Sequence, residues 1–143
     1  MSIRYIVSII VLVLTSQVWA ADFPTGSLKG VGFILEKDKL RITEKDLHVF
    51  SLSVTIVKLS DGSYEFTTAA TMQKSPSTPL KTDRRVDIYK VVWETPVAGK
   101  LINNNVAYRE DKTNFTIANK ELVLKSWIER NQLWETHTYS LVK

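Results

Sequence analysis

The chain has 143 residues, no cysteine, a formal net charge of +4, and a hydrophobic content of 44%. This length suits a single domain with one core. The lack of cysteine excludes a disulfide framework, and a mild charge without a recognisable motif argues against nucleic-acid binding. We therefore expect one domain that is held together by its core alone and has no nucleic-acid partner.

Residues 1–20 follow the order of a secretory signal peptide. A basic start with Arg4 precedes the apolar run 5–14, and Val18 and Ala20 form a small-residue pair of the kind that precedes a cleavage site. The apolar run is shorter than the about 20 residues that a membrane span needs. We expect residues 21–143 to form a periplasmic or secreted domain without stable membrane insertion; a retained N-terminal anchor is the alternative.

The rest of the chain alternates between apolar and polar residues, which is typical of half-buried strands. Turn signals divide it into short segments, and these predict an all-β fold. We predict a single antiparallel up-and-down barrel or half-barrel of about eight to ten strands, with a two-sheet β-sandwich as the alternative. The predicted strands are 27–36, 39–43, 48–59, 63–73, 84–94, 100–102, 106–110, 114–118, 122–129 and 132–142.

The first predicted strand contains the sequence Gly30-Val31-Gly32-Phe33. A calycin-like barrel in an exported protein resembles the lipocalins in architecture, although the glycine-x-tryptophan usual in the first strand of that family is absent here. Architecture of this kind does not fix function. The two glycines predict a bend or a close packing contact in this strand.

The hairpin turn within residues 58–66 decides which side chains share a face. A two-residue turn would leave both faces mixed, whereas a three-residue loop at 60–62, ending in a left-handed Gly62 with a bulge, separates them. A slip of one residue exchanges the faces of a strand. We therefore predict the three-residue loop, with Phe50 opposite Met72 on an apolar face and small hydroxyl side chains on the other.

The last two predicted strands form a second hairpin. A four-residue loop at 129–132 places Trp127 opposite Trp134, while both faces of the hairpin remain mixed in polarity. An aromatic cross-strand pair contributes about 0.2–1 kcal/mol relative to alanines and so helps to fix the register.

We predict that this protein is not an enzyme and that its barrel interior binds a small, largely apolar ligand. The apolar face of the first hairpin would supply most of the lining, and Tyr139 on the last strand would complete it. The predicted ligand-binding residues are Phe50, Leu52, Val54, Ile56, Phe66, Met72 and Tyr139.

The segment 74–85 is the longest predicted irregular connection. It carries four basic residues against one acidic residue, and two prolines stiffen it. Long ordered loops on β scaffolds often carry function. The alternative function is therefore a periplasmic protein–protein module, either an inhibitor of a cell-wall-active enzyme or an immunity protein against a toxin, with an exported protein as its partner. Its predicted partner-binding loop residues are Lys74, Lys81, Arg84 and Arg85.

Both histidines of the chain, His48 and His137, are predicted on apolar faces. Together with Glu135 they would make a set of two imidazoles and one carboxylate, which binds zinc or iron, but they lie far apart in the sequence. Hydrogen-bonded histidines at a barrel rim are the alternative. Ser126 lacks the turn context of a nucleophile. We expect no metal, no cofactor and no catalytic site.

Overall fold

The structure is a computed structural model and describes residues 22–142, so the predicted signal peptide lies outside the described residues. No helix within this range is both long and apolar enough to span a bilayer. Two short 3₁₀ helices occur, at Glu44–Asp46 and Val106–Tyr108. The strands are β1 (Gly26–Lys37), β2 (Leu40–Thr43), β3 (Val49–Lys58), β4 (Tyr64–Gln73), β5 (Lys81–Thr95), β6 (Ala98–Asn103), β7 (Lys112–Ala118), β8 (Glu121–Ile128) and β9 (Leu133–Ser140).

The strands form one antiparallel sheet that closes on itself. Their order is β2-β1-β3-β4-β5-β6-β7-β8-β9, and β1 also pairs with β9. Eight strands therefore make a closed up-and-down barrel, and β2 is an additional strand attached to β1. This confirms the predicted calycin-like barrel, and the closure excludes the two-sheet sandwich.

Strand β1 closes the barrel by pairing with three other strands. Residues 26–29 pair with β3, residues 30–36 pair with β9, and residues 34–37 pair with β2. The first half of β1 thus joins the barrel to β3, whereas its second half leaves β3 and takes β2 as its neighbour on that edge.

Gly30 and Gly32 lie where β1 changes partners. The pairing with β9 shifts register between Gly30 and Gly32. A side chain at Gly30 would overlap Leu52, with its Cβ 2.5 Å from the Leu52 Cβ. The predicted close packing is therefore confirmed at Gly30, and the register shift marks an irregularity of the strand at the same place. Phe33 follows the bulge and lies between the part of β1 that pairs with β3 and the part that pairs with β2. Its N–H donates to the Glu44 carboxylate at 3.1 Å, so this backbone group has a hydrogen-bond partner although no strand pairs with it on that side.

The β3–β4 turn has the predicted three-residue loop. Gly62 has a φ of +88°, and its N–H donates to the Leu59 carbonyl at 3.1 Å. Phe50 lies opposite Met72 in the resulting register. The Asp61 carboxylate accepts a hydrogen bond from the Ser63 N–H at 3.0 Å and holds the loop on its other side. The apolar side chains of the two strands consequently share the inner face.

The β8–β9 hairpin also has the predicted register. Trp127 pairs with Trp134, and the two ring centroids are 5.3 Å apart. Gln132 ends the four-residue loop with a φ of +51°. Lys125 lies over the Trp134 ring on the same outer face, with Nζ 5.1 Å from the centroid.

The predicted strands differ from the observed ones most clearly in two places. The segment 106–110 is not a strand, because Val106–Tyr108 forms a 3₁₀ helix whose first turn is capped when the Ala107 N–H donates to the Asn105 side chain at 3.0 Å. Such a side-chain cap competes with pairing in a sheet. Strand β5 begins at Lys81 rather than at residue 84, because β4 offers it a continuous antiparallel partner as far as Met72.

An aromatic cluster fills one end of the barrel. Phe23, which precedes β1, is 2% exposed, and its ring packs edge-on against Tyr64 and Phe115 at centroid distances of 5.5 and 5.0 Å. Trp93 in turn packs edge-on against Phe115 at 5.0 Å. This end of the interior is therefore closed, and any open space lies toward the other end.

Replacing Gly62 with alanine should lower the free energy of unfolding by about 1–2 kcal/mol, the cost of a left-handed backbone for a residue with a Cβ. Apart from Gly62 and its two chain neighbours, no heavy atom of the described residues lies within 4 Å of the position of that Cβ, so the loss reports the backbone conformation. Gly62→Asn should lose less, because asparagine tolerates this region. Urea unfolding of the three proteins measures both effects, and an alanine variant as stable as the parent would contradict the bulged loop.

Candidate functional site

The barrel contains a cavity of about 320 Å³ at the end opposite the aromatic cluster. Strands β1, β4, β5, β6, β7, β8 and β9 all contribute side chains to its wall. The lining residues are Phe33, Leu35, Phe66, Thr68, Ala70, Met72, Lys81, Asp83, Arg85, Asp87, Tyr89, Leu101, Asn103, Asp111, Thr113, Leu124, Ser126, Ile128, Glu135, His137 and Tyr139.

The predicted ligand-binding residues fall into two groups. Phe66, Met72 and Tyr139 line the cavity. The other four share the inner face but lie outside the cavity wall: Phe50 is half-buried with its ring 6.1 Å from Phe33, and the remaining three are buried in the core. Those three are Leu52, Val54 and Ile56.

Strand β5 contributes a charged row to the cavity that the alternation of its residues did not predict. Its alternate residues from 81 to 89 all line the cavity. Further along the strand, Val91 and Trp93 pack on the core from the same face. Because alternate residues of a strand share one face, packing of Trp93 inside the barrel also turns Arg85 and Asp87 inward.

The assignment of the predicted partner-binding residues to a loop is therefore wrong for three of the four. Lys81, Arg84 and Arg85 belong to β5, where pairing with β4 holds them in extended conformation, and Lys74 alone lies in the connection between the strands. Lys81 and Arg85 line the cavity, whereas Arg84 lies on the opposite, outer face of the strand.

Arg85 and Asp87 form an ion pair in the cavity wall. The Arg85 Nε lies 2.7 Å from the Asp87 carboxylate, and the Asn103 side-chain amide donates to the same carboxylate at 3.1 Å. The Arg85 guanidinium also stacks over the Tyr108 ring, 4.4 Å from its centroid. The charge of Asp87 is thus balanced within the wall by the Arg85 cation, and its carboxylate also accepts a hydrogen bond from a neutral amide.

On the other side of the cavity, β9 presents a carboxylate, an imidazole and a phenol in succession. The Glu135 Oε2 lies 3.6 Å from the His137 Nε2, and the Tyr139 hydroxyl lies 3.3 Å from the His137 Nδ1. The exposed fraction of the side chain is 34% at Glu135 and 22% at His137, while Tyr139 is fully buried. The row therefore leads from the mouth of the cavity to its floor.

Burial favours the neutral form of each group in this row. It lowers the pKa of His137 to about 4, so the imidazole is uncharged at neutral pH. It raises the pKa of the Glu135 carboxyl, an effect that the positive charge of Arg85 partly opposes. Burial also raises the pKa of Tyr139, although a hydrogen bond with Thr68 opposes the change. The 3.6 Å approach of Glu135 and His137 is consequently not an ion pair at neutral pH.

The predicted metal candidates do not come together. His137 and Glu135 are neighbours, but His48 is an exposed residue outside the cavity wall. Its backbone N–H donates to the Gln73 carbonyl at 2.8 Å, just before β3 begins. Within residues 22–142, no group of three or more His, Cys, Asp or Glu side chains is arranged to hold a metal ion. The prediction that His48 lies on an apolar face is wrong. His48 precedes β3, and Phe50 is the first residue of that strand whose side chain faces inward.

Ser126 also lines the cavity, but its hydroxyl has a partner other than the histidine. Its Oγ lies 3.0 Å from the Thr113 Oγ1 across the β7–β8 pair. On its other side, Ser126 of β8 is paired with Glu135 of β9. The two hydroxyls add a neutral polar patch to the wall between the apolar floor and the mouth.

No protein-family model matches this chain, and no curated protein matches it with a significant sequence similarity. The cavity itself therefore carries the functional interpretation.

Acid should destabilise the protein through His137. Because its pKa is about 4 in the folded state against 6.5 for an ordinary histidine, folding disfavours the charged imidazole, and this contribution to stability is lost as pH falls from 6.5 to 4. We expect a loss of up to about 3 kcal/mol from this residue, at about 1.4 kcal/mol per pH unit of difference. Urea unfolding between pH 4 and pH 7 measures it.

His137→Gln should remove most of that loss, since glutamine does not titrate. Glu135 acts with the opposite sign, because a raised carboxyl pKa makes stability fall as pH rises, and it is present in both proteins. His48→Gln is the matched control, because it removes the exposed histidine and should leave the acid-induced loss in place. An equal loss in H137Q and in the parent would rule out a buried, neutral His137.

Proposed function

We propose that this protein is a non-enzymatic binding protein that takes a small ligand into the cavity of its barrel. The single observation that supports this proposal is the cavity of about 320 Å³, which is within the about 300–1,000 Å³ range of small-molecule sites. Protein interiors are normally close-packed, so an open space of this size inside a small barrel supports a role in ligand binding.

The cavity wall contains both apolar and charged side chains, which favours an amphipathic ligand over a purely apolar one. Apolar side chains such as Phe66, Leu101 and Leu124 surround the inner part of the cavity, and charged side chains of β5 and β9 surround the rest. A site of this type uses apolar contacts for affinity and a few polar groups for orientation. The proposed ligand therefore has an apolar portion that enters first and a polar end that faces the mouth.

The alternative of a protein–protein module has less support from the positions of its residues. Two of the four basic residues predicted to form a contact surface, Lys81 and Arg85, line the cavity. Lys74 and Arg84 remain on the outside, but two separate cations give a partner little to recognise. We therefore retain ligand binding as the proposed function.

We also propose that the protein acts outside the cytoplasm, in the periplasm or as a secreted protein. The support is the basic start, apolar run and small-residue pair of residues 1–20. A binding protein held together without disulfides is compatible with either location.

A fluorescent apolar probe, N-phenyl-1-naphthylamine, should bind the purified protein and lose affinity when the cavity is filled. Ala70 lines the cavity and its neighbour Ala69 faces outward. Ala70→Phe should weaken probe binding at least about tenfold, because the ring occupies the apolar space that the probe needs. Fluorescence titration measures the affinity.

Ala69→Phe is the matched control, since it adds the same ring to the outer face of the same strand. Circular dichroism of both variants establishes that each is folded. Equal probe affinity in A70F and A69F, or no binding by the parent protein, would argue against an interior site.

Export predicts a defined mature N-terminus. Expression of the full chain in a bacterial host should give a periplasmic protein whose intact mass corresponds to residues 21–143, because cleavage is expected after Ala20. Cell fractionation followed by mass spectrometry tests this, and recovery of the uncleaved chain from the cytoplasm would contradict it.

A further inference from the structure

The cavity wall contains more acidic than basic side chains. Four carboxylates line the cavity, from Asp83, Asp87, Asp111 and Glu135, against the two cations Lys81 and Arg85. The ion pair of Arg85 with Asp87 accounts for one charge of each sign. Since His137 is neutral at neutral pH, it supplies no positive charge, and the rest of the wall carries more negative than positive groups.

Glu135 is a partly buried carboxylate without an ion pair. Among residues 22–142, Asp83, Asp111 and Glu135 line the cavity without a lysine or arginine partner, but Asp83 is exposed to solvent. The nitrogen of a basic side chain nearest to the Glu135 carboxylate is the neutral His137 Nε2, at 3.6 Å, and this carboxylate accepts no hydrogen bond from the described residues. Asp111 differs, because its carboxylate accepts the Glu129 N–H at 3.0 Å. A partly buried carboxylate without partners is costly, and a positively charged ligand group would satisfy it.

The position of Glu135 suits the polar end of a ligand. It lies on the mouth side of His137, with Tyr139 deeper in the same row. Below it, the apolar side chains of Leu124 and Phe66 face the cavity floor. A molecule with its apolar end on these side chains has its polar end beside the Glu135 carboxylate.

We infer that the ligand class of this cavity is small cationic amphiphiles, in which an aliphatic or aromatic portion occupies the floor and an amine pairs with Glu135. An ammonium group has three hydrogen-bond donors and no acceptor, which complements a carboxylate that accepts only. A carboxylate headgroup would instead meet Glu135 and the excess negative charge of the wall. This inference rests on the proposed function, because it names the ligand class of the same cavity.

Three probes with one tail and different headgroups test the inference: octylamine, octan-1-ol and octanoate. Each competes with N-phenyl-1-naphthylamine at pH 7.5 and at low, constant ionic strength. We expect octylamine to bind at least about tenfold more tightly than octanoate, the size of effect that a charge-assisted hydrogen bond gives. Glu135→Gln should weaken octylamine about tenfold and change octan-1-ol less than twofold.

Glu65→Gln is the matched control. Glu65 lies on β4 next to the inward Phe66 and therefore faces outward, so its neutralisation changes the net charge equally without touching the cavity. Octylamine affinity should be the same in E65Q and in the parent protein. An equal effect of both substitutions would attribute the preference to net charge and overturn the role of Glu135.

The possible failures of the two proposals are distinct. If the naphthylamine probe binds but octanoate competes as well as octylamine, or E135Q leaves octylamine affinity unchanged, the cationic ligand class is overturned and cavity binding stands. If neither the naphthylamine probe nor any of the octyl compounds binds, the proposed function itself is overturned together with the inference.

Discussion

The closure of the barrel by β1 is the constraint on which the rest of the structure depends. This strand joins β3 through its first residues and β9 through its later ones, and the bulge at Gly30 lets it change direction between them. Without a side chain at Gly30, Leu52 of β3 packs directly against the β1 backbone. Closure pairs β1 with β9, the strand at the far end of the sheet. It creates an interior that is lined by the inward side chains of eight strands.

That interior has two parts with different chemistry. The aromatic cluster around Phe23 fills one end and supplies the dense packing that a domain without disulfides needs. The other end holds the cavity, where the Arg85–Asp87 ion pair and the row that begins at Glu135 face one another across an apolar floor. Dense packing and open space thus lie toward opposite ends of one barrel. Some residues belong to both parts, because they line the cavity and are also buried in the core: Phe66, Leu101, Leu124 and Tyr139.

Alternation and turn chemistry predicted much of this fold. The left-handed Gly62 fixed the face on which Phe50 and Met72 lie, and the register of the last hairpin followed from its loop. The charged cavity wall was not predicted, because alternation separates two faces without saying which is inside. In β5 the face with Val86 looks the more apolar, yet Val86 is 57% exposed. Packing of distant Trp93 on the aromatic cluster sets the inward face for the whole strand.

The central claim, that the cavity is a ligand site, is tested most directly by mapping a bound probe onto the barrel. Backbone amide chemical shifts of the ¹⁵N-labelled protein are recorded with and without N-phenyl-1-naphthylamine. The proposed site predicts that the largest changes fall on cavity residues such as Thr68, Leu124 and Tyr139, with small changes around Phe23. Changes confined to the outer face, or none at saturating probe, would contradict it.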